Sequence, residues 1–224
     1  AGDTVDNATP LEQQLAEEGI TGYGVHFEGY QQISSCEAYD VDLACTKPGK
    51  RLPFGILQGN HHLENFDDFI RKTGLIDLDH ATAFLGVPIA ALNDACIGTI
   101  DCTDGKGKVA NREQAEQYLE DLKNSGQELP QSIIVASQDA AEVFAGTIPY
   151  IFAGGKHKFS VDEVDGSNII YLGSIGQGGI RNAPEASALV VKMGKQGDVL
   201  SCQVARWQAF DDKITPSVED CFKS

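Results

Sequence analysis

Two stretches of this sequence hold side chains whose types and spacing could do chemistry. The first is Gly59-Asn60-His61-His62-Leu63-Glu64, which follows the apolar stretch 54–57. If Asn60 caps a helix, His61 and Glu64 are three residues apart and share one face. His62 then falls in the first turn, where the helix dipole disfavours the imidazolium and keeps the ring a neutral base or ligand. An imidazole beside a carboxylate can bind a divalent metal or act as a general acid–base pair. His61, His62 and Glu64 are therefore the candidate catalytic residues. The competing reading makes them a solvated, capped helix start. The second stretch is Gly173-Ser174-Ile175-Gly176-Gln177-Gly178-Gly179, after an expected strand at 168–172. No convincing helix start stands behind it and no lysine sits where a P-loop puts one, so phosphate cradling is disfavoured. A wide glycine-rich connection can still present a binding surface, and Ser174, Gln177 and Arg181 are its candidate binding residues.

An apolar strand running into Gly59-Asn60-His61 resembles one metal-ligand motif of the metallophosphoesterases. The early Asp-x-His and the late Gly-His-x-His of that family are not found, and His157 stands alone. The resemblance stops at one motif and assigns no family. A third segment, residues 102–113, resembles an EF-hand loop in shape. Gly107 falls at the sharp turn, Val109 at the apolar position and Glu113 at the closing carboxylate. Asp104 matches a ligand position, but Cys102 replaces the opening acid and Lys106 occupies the central one, where calcium needs oxygen. Asp104 and Glu113 are the candidate metal ligands. A disulfide-anchored helix–loop–helix turn is the preferred reading. His26, His80 and His157 have no sequence partner; His26 and His80 are expected to be structural or solvated, and Trp207 to pack in the core.

The elements that must position these residues follow from periodicity. A short helix over 10–19 and a half-buried strand at Tyr23, Val25 and Phe27 open the chain. Leu63, Phe66, Phe69 and Ile70 predict a helix over 61–73. Further helices are expected from Asp77 or Asp79 through Leu85, and over 89–96 behind Pro88. The clearest helix is capped by Asn111, carries the stripe Ala115, Tyr118, Leu119 and Leu122, and stops at Gly126. From Ser132 the pattern becomes one of strands at 133–135, 150–152, 159–164, 168–172, 188–191 and 199–207, with a helix at 139–145. Asp165-Gly166 is a specific hairpin signal. The expected fold is α+β: a helical middle segment packed on a mostly antiparallel sheet formed largely by the C-terminal third, in a single domain over 1–224. Residues 1–9 are polar and expected to be flexible.

Six cysteines, Cys36, Cys45, Cys96, Cys102, Cys202 and Cys221, form three local pairs along the 224 residues. An even count with close spacing reads as a disulfide framework, hence a secreted protein with its signal peptide removed. Fifteen connectivities are open, and pairing of sequence neighbours is the default. With 33 acidic and 17 basic residues the formal charge is -16. That charge repels phosphate backbones and argues against nucleic-acid partners, and no apolar run is long enough to span a membrane. The expected function is a secreted, acidic binding protein that recognises a cell-surface, glycan or matrix partner, whether protein, glycan or small-molecule ligand. The alternative is a secreted metal-dependent or acid–base hydrolase using His61, His62 and Glu64. No cofactor is implied beyond a possible divalent metal.

Overall fold

A computed structural model describes residues 36–39, 45–48, 55–57, 76–84, 86–93, 112–173, 185–208 and 216–223. Strands β1 (Cys36–Tyr39) and β2 (Cys45–Pro48) form an antiparallel pair, with Tyr39 opposite Cys45. Strands β3 (Gly55–Ile56) and β4 (Ile76–Asp77) pair in parallel. The main sheet contains β5 (Ala90–Leu92), β6 (Ser132–Val135), β7 (Tyr150–His157), β8 (Ser160–Val164) and β9 (Ser167–Gly173), in the order β5-β6-β7-β9-β8. A second sheet contains β10 (Glu185–Met193), β11 (Val199–Gln208) and β12 (Ser217–Asp220), paired antiparallel in chain order.

The main sheet is mixed. β5, β6, β7 and β9 run parallel, and only β8 is antiparallel, at the edge. The α+β class holds, and an antiparallel sheet of the C-terminal third is present as the second sheet, but the main sheet is mixed rather than mostly antiparallel. The reason lies in where alternate side chains go. Ile133, Val135, Ile151, Ala153 and Ile169 enter a core with the helices. Their neighbours Phe152 and Ile170 enter another with Cys202 and Val204 of the second sheet. Strands buried on both faces read as continuous apolar runs, and such strands are parallel ones bridged by helices.

Helix α1 (Arg112–Asn124) buries Ala115, Tyr118 and Leu119, with Leu122 half-buried beside them. Its opposite face is solvated and carries the spaced pairs Arg112–Glu116 and Gln117–Asp121. Gly126 follows at φ 72, a left-handed stop that glycine adopts without strain. Helix α2 (Gln138–Phe144) is capped by Ser137, whose hydroxyl accepts the Ala140 N–H at 3.3 Å. It buries Ala140, Ala141 and Phe144 against the sheet. Asp165 and Gly166, at φ 51 and 80, make the two-residue turn between β8 and β9 that the sequence signals.

Two expected helices are absent from the described residues. Residues 79–84 form a turn with Phe84 bridged to Val87. Residues 90–92 form strand β5, buried at every position, because the short run Ile89-Ala90-Ala91-Leu92 pairs with β6 and has apolar contacts on both faces. The helix expected over 61–73, the helix over 10–19 and the strand near Tyr23 lie outside the described residues. The second sheet is tied down by the Cys202–Cys221 disulfide, a pairing of sequence neighbours as expected. The turn between β10 and β11 seats Gly197 against Pro88, and Ser132 Oγ donates to the Gly197 carbonyl. Trp207 is half-buried and shares a strand face with Gln203 and Ala205, opposite the buried Cys202 and Val204. It is not a core residue.

Candidate functional site at the carboxyl edge of the parallel strands

In sheets of parallel strands, ligands bind beyond the carboxyl ends, where the connecting loops converge. Four strand ends meet at that edge here. Leu57 stands directly after β3, Leu78 directly after β4 and Ala136 directly after β6, and the three are buried in one cluster with Ala91 of β5. The Asn93 N–H, just past β5, donates to Asp79 Oδ1 at 2.7 Å. That bond fastens the end of β5 to the turn after β4. The Asp79 N–H donates in turn to Asp77 Oδ1 at 2.9 Å.

His80 follows in the left-handed region at φ 56, a conformation that costs a side-chain-bearing residue energy and tends to be kept where function needs it. Its Nε2 stands 3.9 Å from Asp79 Oδ2, and its ring meets the edge of Tyr118 at 5.2 Å between centroids. Burial, and secondarily the Asp79 carboxylate, push the Tyr118 hydroxyl above its ordinary pKa. His80 was expected to be structural or solvated. It is exposed, yet it sits at the strand edge with a carboxylate neighbour.

Strand β7 contributes a bulge. Ala153 pairs with Tyr171 and His157 with Gly173, so four steps on β7 match two on β9. Gly155 absorbs the excess at φ 81, packed against the start of α2 near the Gln138 amide. The bulge sets His157 level with Gly173, the last residue before the Ser174 segment. Lys156 Nζ lies 3.8 Å over the Tyr171 ring and 2.9 Å from Ser160 Oγ. Tyr171 is shifted upward by burial first and then by Asp162, Glu142 and Asp139.

The sequence candidates divide accordingly. His61, His62 and Glu64 lie outside the described residues, four to seven positions beyond Leu57, on a segment that leaves β3 at this edge. Ser174, Gln177 and Arg181 also lie outside, on the segment that leaves β9 there. Asp104, Cys96 and Cys102 fall on the segment between β5 and α1, again outside the described residues. Glu113 is exposed in the first turn of α1. Residues 90–92 of the helix expected before the 102–113 loop form strand β5, and residues 94–111 lie outside the described residues. Among the described residues no group of three or more His, Cys, Asp or Glu side chains could hold a metal ion. No helix of the described residues is long and apolar enough to cross a membrane.

Sequence reasoning missed the Asp79–His80–Asn93 group and the place of His157. The signal was available in the alternation of strand and helix from 90 to 157, which implies parallel strands and therefore a shared carboxyl edge.

No protein-family model and no curated protein matches the chain. Solved structures do. Vps29 of Entamoeba histolytica complexed with zinc is 13% identical over 73% of this chain and 77% of its own, with a TM-score of 0.31. A Staphylococcus aureus 5'-nucleotidase in complex with alpha-ketoglutarate is 14% identical over 95% of this chain, with a TM-score of 0.47. This chain spans 45% of that protein's length. Both TM-scores lie below 0.5, so neither protein assigns a family or a function to this chain.

Proposed function

We propose that this chain is a secreted hydrolase whose site lies at the carboxyl edge of the parallel strands, with His61, His62 and Glu64 as its acid–base group. The observation that carries the reading is the burial of Leu57 with Leu78, Ala91 and Ala136. It makes β3 end where β4, β5 and β6 end, so the His61 segment starts from the edge at which α/β folds bind their ligands. Water is the nucleophile. An imidazole of His61 or His62 takes its proton as the new bond to the electrophilic centre forms. The leaving group then departs with a proton returned from the imidazolium, and Glu64 orients the ring. A divalent metal is compatible with the same residues, as ligands rather than bases. The acid-rich composition favours a neutral or cationic substrate over a polyanion.

The test is a panel of esters, phosphate esters and glycosides against native protein, with elemental analysis of the same sample. Activity that falls at least about 100-fold in His61→Ala or His62→Ala, with circular dichroism unchanged, is the expected result. No turnover on the whole panel and no bound metal would overturn the proposal.

A second reading, recognition of a partner at a cell surface or in a matrix, draws on the second sheet. Val190 and Val218 are 64% and 60% exposed, on strands flanking β11. Exposed apolar groups of this kind suit a contact surface. Binding to intact cells or glycan arrays that survives in wild type and is lost in a Val190→Lys, Val218→Lys double variant supports it. Unchanged binding in that variant removes it.

A further inference from the structure

Among the described residues, the space between the two sheets is not filled. Ile134 and Phe152 of the main sheet face Leu189 and Val191 of β10 across a cavity of about 190 Å³. Leu57, Leu78 and Leu172 complete its described wall, and none of these lining residues has a polar side chain. Ile134, Leu172, Leu189 and Val191 are only half-buried although they point between the sheets, so the cavity communicates with its surroundings. Its position is specific. Leu57 and Leu78 stand directly after β3 and β4, and Leu172 stands one residue before the end of β9. Part of the cavity wall is therefore the same strand edge that carries Asp79 and His80.

Ordered water needs two to four hydrogen-bond partners, which this lining does not offer, whereas apolar cavities of roughly 150 Å³ admit benzene. We propose that the cavity is a subsite for a small apolar group, a monocyclic aryl or short alkyl chain, of a ligand whose polar end lies at the strand edge. The polar end rests on the hydrolase reading above; the apolar subsite does not. As a substrate this describes an aryl or short-chain alkyl ester in preference to a methyl ester.

Benzene is the probe, added to the full chain with its disulfide intact. Near tenfold excess over its Kd it should raise Tm by about 3 °C. It should also give nuclear Overhauser contacts to the methyl groups of Leu57 and Val191. Val191→Phe, which fills the space, should abolish both signals, and Leu189→Phe serves if the first variant does not fold. Absence of contacts to these methyls in wild type overturns the proposal, as does a benzene shift unchanged in a folded filling variant. The two proposals fail separately. Benzene contacts without turnover on the panel keep the subsite and remove the hydrolase. Turnover with equal KM for phenyl and methyl esters and no benzene contacts does the reverse.

Discussion

Gly197 shows how little freedom a single position can have. A Cβ there would lie 2.0 Å from the Pro88 carbonyl oxygen, and the backbone is at φ 81. Gly197→Ala combines a left-handed penalty with a backbone collision, and we expect a loss of about 2–4 kcal/mol in denaturant unfolding. Gly166, at φ 80 with nothing within 4 Å of its notional Cβ, carries the first cost alone. Gly166→Ala should cost about 1 kcal/mol, and equal losses in the two variants would refute this ranking. Tyr118 predicts a pH dependence. Its folded pKa lies above the unfolded value near 10, so the unfolded chain releases the proton first. The contribution is intact below about pH 10 and is lost as pH rises toward the folded pKa. Tyr118→Phe should therefore unfold less steeply with alkali than wild type, measured as Tm against pH from 8 upward.

At the scale of elements, the disulfide is the feature most open to test. β12 is exposed along its length and is joined to β11 by four register pairs and the Cys202–Cys221 bond. Arg206 adds an ion pair to Glu219 while its guanidinium covers the Phe159 ring. Closing a loop of 19 residues stabilises a fold by about 3 kcal/mol. Reduction, or Cys221→Ala, should lower stability by that order and expose residues 217–220 to hydrogen exchange before any other strand. Mass spectrometry of unreduced protein checks the bond directly. Much of this level was legible in the sequence. The stripe of α1, the Asp165-Gly166 turn and the strands after Ser132 appear where periodicity puts them. Strand β5 was not legible, because four apolar residues behind a proline fit a buried strand and a helix start equally well.

At the scale of the molecule, what escaped the sequence was the direction of the strands, and with it the site. Ile133-Ile134-Val135 and Tyr150-Ile151-Phe152 announce strands, but only their two-sided burial makes them parallel. Direction decides that β3, β4, β7 and β9, the strands that lead to His61, His80, His157 and Ser174, end at one edge. The charge of -16 acts over the whole chain. Like charges crowd together on folding, so raising sodium chloride from about 0.02 to about 0.5 M should lift Tm by a few degrees through screening. A Tm that falls with salt would show that attractive ion pairs dominate instead. The surplus in β7 also limits how this chain can change length. Strand side chains alternate with a period of two, and β7 carries an even surplus over β9 between the two paired positions. Removing Gly154 and Gly155 together would leave residue 157 with its parity, whereas removing either alone would invert it. Insertions and deletions at this point should be tolerated two at a time.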